Sequence, residues 1–147
     1  ALWEVWSEYL NTTSVAWLLM EGERRAAMLA AANVEGLEGA PYYSWILALE
    51  NPDDDHSAAY EQFRDWAAIA GVDLQSYSEL RVAFGDYSNI DLTAMQEAWY
   101  WLPTYRKFRA SDEFKAAIRK YGFFDLWQER GFPHMCRPVG TGDFECD

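Results

Sequence analysis

The stretch "HSAAYEQFRDWAAIAG", residues 56–71, decides the fold. Ala59, Phe63, Trp66 and Ala70 recur at i, i+4, i+7 and i+11, which is one stripe of an α-helix, with Tyr60 and Ala67 flanking it. Gly71 stops it. Asp53, Asp54 and Asp55 stand just ahead, where negative charge complements the helix dipole. His56 follows them directly. "DDDHS" offers no set of ligands spaced to converge on a metal, so His56 belongs to a solvated helix start.

Working outward, the same spacing recurs nearly throughout. Towards the N-terminus, "ERRAAMLAAANVEG" (23–36) is Ala-rich, the best helix composition, and its Ala26, Ala27, Ala30 and Ala31 let a neighbouring helix come close. "PYYSWILALENP" (41–52) starts with Pro41, a favoured first-turn residue. "SVAWLLMEG" (14–22) ends at Gly22, and "LWEVWSEYL" (2–10) puts Leu2, Trp6 and Tyr9 on one face.

Towards the C-terminus, "SYSELRVAFG" (76–85) has Ser76 and Glu79 at capping-box spacing, and "SNIDLTAMQEAWYWL" (88–102) has Ser88 and Asp91 similarly placed. "SDEFKAAIRKYG" (111–122) has Ser111 as cap and Phe114, Ile118 and Tyr121 facing inward. "FFDLWQERG" (123–131) is a last short helix, after which the chain is expected to be irregular. No segment shows a convincing period of two. The pattern predicts an all-α protein of eight or nine short helices on short loops, which favour antiparallel neighbours. Trp17 and Trp45, and Ala27 and Ala59, hint at a worn helical-hairpin repeat without a strict period. The expected organisation is a single helical domain over 1–147, with degenerate hairpins over about 1–101 and a C-terminal cap and tail over about 103–147.

Half of the 147 residues are apolar, with eight Trp, nine Tyr and eight Phe, so the chain can bury a core and is not a disordered segment. The net charge of −12 is uneven: residues 1–105 hold seventeen acids and four bases, residues 106–147 seven acids and eight bases. The acidic part would repel a phosphate backbone, which argues against nucleic acid as a partner. Arg106, Lys107, Arg109, Lys115, Arg119 and Lys120 are expected to form a solvated face. No apolar run reaches the roughly 18–20 residues needed to span a bilayer. The opening at Ala1, without Met and without a basic leader region, is what a mature or excised chain shows.

Both cysteines fall in "GFPHMCRPVGTGDFECD" (131–147). A Cys136–Cys146 disulfide is the preferred reading, because Pro138, Gly140 and Gly142 between them allow the chain to fold back. It implies an oxidising compartment. Alternatives are a zinc site using His134, Cys136, Cys146 and Asp143 or Asp147, which lacks the usual tight cysteine pair; a Cys–His nucleophile, which lacks an orienting third group; and two reduced thiols in a cytosolic tail, which would make the location cytoplasmic. Tyr42, Tyr43, Trp99 and Trp101, in "PYYSW" and "AWYWLPTY", are candidates to line a binding groove, the competing reading being core. No phosphate loop, dinucleotide fingerprint, nucleophile elbow or zinc-protease helix is present, so no catalytic residue, metal or cofactor is assigned.

The segment "WLPTYRKFRASDEFKAAIRKYGFFDLWQERGFPHMCRPVGTGDFECD" (101–147) resembles the C-terminal end of bacterial tetratricopeptide-repeat-like proteins. Arg109, Asp112, Phe114, Lys115, Gly122, Trp127, Gly131, Pro133, Cys136, Asp143, Phe144 and Cys146 carry the likeness, in order, over less than a third of the chain. In that family such domains follow a winged-helix DNA-binding domain and one membrane span, or a class III adenylate cyclase domain. The resemblance implies a periplasmic sensor or interaction domain, with a protein or small ligand as partner and an effector domain attached upstream. Readings that compete with it are a structural or dimerisation module and a stand-alone helical enzyme.

Overall fold

The computed structural model describes residues 12–92 and 99–147. The helix expected over 2–10 lies outside them, as does the middle of the one expected over 88–102. The chain is mainly helical and divides into two compact units between Asp86 and Tyr87.

In the first unit, α1 (Thr12–Met20) and α2 (Arg24–Ala32) form a helical hairpin. α3 (Tyr42–Glu50) packs on both, and α5 (Ser78–Ala83) packs on α1 and α3. The side chains explain the order. Buried Ala27, Ala30 and Ala31 give α2 a flat face for close approach. α3 buries Trp45, Ile46, Ala48 and Leu49, a face too wide to be covered by one neighbour.

α4 (Ser57–Ala70) is turned slightly from the expected stripe. Phe63 and Ala67 are buried, Ala59 and Trp66 are half-buried, and Ala70 is exposed. Rings bury more apolar area than alanines, and both Tyr60 (5.2 Å) and Phe63 (5.5 Å) lie against Phe84. The start of α4 is held locally. The Ser57 N–H donates to Asp55 Oδ1 (2.9 Å), which lowers the Asp55 pKa, and His56 Nε2 donates to the Asn51 carbonyl (2.7 Å).

The capping box expected at Ser76 does not form. Asp73 accepts the Gln75 N–H at 3.0 Å and opens a 3₁₀ turn, Leu74–Ser76, which absorbs Ser76; α5 starts only at Ser78. A carboxylate placed earlier outcompetes the serine hydroxyl.

In the second unit, Ser88–Leu92 is turn and irregular backbone, and Trp99–Trp101 is a 3₁₀ turn rather than the end of an α-helix. A second 3₁₀ turn, Pro103–Tyr105, leads into α6 (Arg106–Arg109). Pro103 lacks the N–H that would continue a helix. α7 (Asp112–Lys120) is capped as expected: Ser111 Oγ accepts the Phe114 N–H at 3.1 Å. Acids fill its first turn and bases its last, and Phe114 and Ile118 are buried. Gly122, at φ +76°, reverses the chain into α8 (Phe123–Arg130).

The tail is not irregular. β1 (Cys136–Val139) and β2 (Asp143–Cys146) form an antiparallel hairpin with Cys136 opposite Cys146 and Pro138 opposite Phe144. The Asp147 N–H donates to the Met135 carbonyl (2.9 Å), so the pairs 136/146 and 138/144 fall at non-hydrogen-bonded positions. The missing N–H of Pro138 therefore costs the ladder nothing, and Pro138 blunts the outer edge of β1. Among the described residues no helix is long and apolar enough to cross a membrane.

Gly36 has φ +82°, and a Cβ there would collide with Tyr77 Oη, which donates to the Glu35 carbonyl at 3.1 Å. Gly36→Ala is expected to destabilise the first unit by about 2–3 kcal/mol, part from the backbone and part from the collision. In a Tyr77→Phe background the same substitution should cost less. Urea unfolding of the four variants checks this, and full additivity would contradict the contact.

Candidate functional site

The second unit is organised around a buried charge. Tyr105, Phe108 and Arg109 stand at i, i+3 and i+4, so Arg109 shares the apolar face of its turn and is 1% exposed. Its Nη1 donates to the carbonyls of Tyr100 (2.6 Å) and Leu102 (2.8 Å), and its Nε donates to the main-chain oxygen of Asp147 (2.5 Å). Burial pulls the guanidinium pKa down, and the Asp147 charge counteracts it. Arg109 thus departs from the solvated face expected for the cationic cluster. It ties the 3₁₀ turn at Trp99–Trp101 and the end of the hairpin to α6.

The hairpin is held from its other face by α7. Lys115 Nζ and Arg119 Nη2 reach the Asp143 carboxylate at 3.0 and 2.9 Å, and Arg119 also donates to the Gly142 carbonyl (3.0 Å). Lys115 is the larger cause of the lowered Asp143 pKa. The Arg119 guanidinium lies 4.3 Å from the Phe124 ring centroid and 5.6 Å from that of Phe144. Phe144 is fully buried against Phe124 and Trp127. Cys136 and Cys146 are joined in a disulfide across the close pair, with Cα atoms 4.0 Å apart. Both thiols are spent there, so neither is a zinc ligand or a nucleophile. His134 is exposed beside them.

The four aromatic groove candidates are placed differently. Tyr42 and Tyr43 begin α3 in the first unit. Tyr43 is 51% exposed, with the Arg24 guanidinium over its ring at 5.7 Å. Arg24 is in turn held by Glu50. Trp99 and Trp101 belong to the second unit. Trp99 is only 5% exposed, stacked on Phe108 (5.8 Å) and edge-on to Tyr105 (4.9 Å), so it is core. Trp101 is half-buried against Tyr100, Phe114 and Trp127. The two pairs thus belong to different units.

A polar cluster that the periodicity did not reveal closes the first unit. Tyr60 Oη donates to Asp86 Oδ2 (2.7 Å), and Arg81 Nε, from a fully buried side chain, donates to the same oxygen (3.2 Å). Burial first, and then the Asp86 carboxylate, push the Tyr60 hydroxyl up to about 12. The available signal was Leu80-Arg81-Val82, an arginine inside an apolar run. Among the described residues no group of three or more His, Cys, Asp or Glu could hold a metal ion. Arg81 and Arg109 anchor the two clusters from buried positions. Both hold backbone and helices in place. Comparison of the chain with family models, with curated proteins and with solved structures returned no match.

Arg109 and the disulfide hold the same chain end, so their losses should overlap. Arg109→Lys, which cannot reproduce the fork, and Cys136→Ser should each cost about 2–3 kcal/mol. The double variant should lose less than the sum. Denaturant unfolding with and without reductant tests both terms. An unchanged midpoint on reduction would remove the disulfide's role, and strict additivity would remove the coupling.

Tyr60 has a folded pKa of about 12, above its unfolded value of 10.0. Its contribution to stability is complete below pH 10.0 and is lost as the pH rises towards about 12. Tyr60→Phe should flatten that part of the alkaline fall in melting temperature. Tyrosinate absorbance during a base titration should show one late-titrating group fewer in Tyr60→Phe than in the wild type.

Proposed function

We propose that this chain is a non-catalytic sensor or protein-interaction domain of a larger bacterial signalling protein. It binds a protein or small ligand and relays that event to an attached effector domain, of the winged-helix regulatory or adenylate cyclase kind, across a membrane. Its helices are read as worn hairpins of tetratricopeptide-like type, and its place is the periplasm.

The observation that carries this reading is the disulfide-closed hairpin. Four contacts of the closure use residues that carry the family resemblance. Arg109 takes the Asp147 oxygen, Lys115 takes Asp143, Phe144 packs on Trp127, and the Pro133 carbonyl accepts the Cys136 N–H. The disulfide is at home in an oxidising compartment outside the cytoplasm. The acidic first unit favours a basic or neutral partner.

The test is to read the gene upstream of the codon for Ala1. The expected outcome is an effector domain followed by about 20 apolar residues. A start codon at that point, or a bare signal peptide, would overturn the relay.

A further inference from the structure

Along α4 one helical stripe is left uncovered. Glu61, Arg64, Asp65 and Ala68, at i, i+3, i+4 and i+7, are all exposed. With Ala67, and with Val72 and Leu74 from the turn that follows the helix, they line an open cleft of about 540 Å³. That volume falls in the range of pockets that take ligands and anchoring side chains, roughly 300–1,000 Å³. The cleft has an apolar floor and a charged rim. Ile69, four residues beyond Asp65 and so flanking the same stripe, is 90% exposed, far more than any other large apolar side chain described. An isoleucine fully in water beside an apolar floor is surface that association can bury.

Charge decides what can lie there. Residues 1–86 carry fifteen acids and four bases. Of those bases, Arg24 is committed to Glu50 and Arg81 to Asp86, and Arg64 lies over the Tyr60 ring at 5.9 Å. The rim holds two carboxylates and one guanidinium, in a field that is negative over the whole unit. An anionic partner is repelled. A second copy brings the same excess of acid and is opposed by like charge.

We propose that this cleft docks a cationic amphipathic segment of a partner protein. Its apolar side chains lie on Val72, Leu74 and Ile69, and a Lys or Arg sits between Glu61 and Asp65. Arg64 fixes the direction of the segment by donating to one of its carbonyl or carboxylate oxygens. The proposal rests on the interaction-domain reading above, but its test is independent of what the upstream gene encodes.

The whole chain is titrated into a dye-labelled peptide with Leu at helical spacing and Lys on the opposite face, and into the same peptide with Glu for Lys. Fluorescence anisotropy reads binding at low and high salt. The Lys probe should bind and weaken with salt, and the Glu probe should not bind. Glu61→Lys with Asp65→Lys should weaken the Lys probe by about tenfold or more, and Leu74→Ala by several-fold. Glu21→Lys with Asp54→Lys, the same charge change away from the cleft, should weaken it by less than about twofold. Circular dichroism confirms that each variant is folded. Equal loss in the two charge-reversed pairs, no loss in either, or no binding of the Lys probe overturns the proposal. So does a concentration-dependent dimer that the Glu61 and Asp65 changes abolish, which would make the occupant a second copy.

Discussion

A guanidinium taken out of water must find acceptors for its N–H groups, and Arg109 finds them in the backbone. The carbonyls of Tyr100 and Leu102 lie at the 3₁₀ turns that lead into α6, and that of Leu102 also accepts the Tyr105 N–H at 3.0 Å. The third acceptor comes from Asp147, 38 residues on. The Trp99 ring is buried beneath the same turns, and the hairpin's second strand is drawn towards α6. One buried side chain therefore links the turns, the end of the hairpin and α6, and removing it breaks all three links at once.

The helices were legible where periodicity and caps agreed. Ser111 before "DEFKAAIRK" capped α7 as its sequence indicates, and the alanines of α2 became the close-packing face. Elsewhere a local rule lost to a neighbour. Ser76 gave way to Asp73, and the 88–102 pattern gave way around Trp99–Trp101, where burying rings against Phe108 outweighs helical continuity. The hairpin was missed because "DFEC" alternates over only four residues, and because Pro138 disguises its partner strand. The pairing of the cysteines was legible from the glycines and proline between them.

The candidate site was less legible. Arg81, inside an apolar run, and Arg109, inside a cationic cluster, are counted by composition as surface charge, yet both are buried anchors. Aromatic density did not separate core from groove, since Trp99 and Tyr43 come from similar clusters and end with opposite exposures. The charged clusters around Arg81 and Arg109 brace the fold.

The distance along the chain between Arg109 and its last acceptor sets an order of events. At a synthesis rate of about 5–20 residues per second, the oxygen of Asp147 becomes available some 2–8 seconds after Arg109 is made. Until then Arg109 lacks its third acceptor, and Phe124 and Trp127 lack the Phe144 ring that packs on them. Cys136 likewise waits for Cys146. The second unit therefore closes late, whereas the α1–α2 hairpin can form as soon as it is synthesised. In the interval the nascent chain offers an aromatic surface and a single thiol, the two features that chaperones and thiol oxidases recognise.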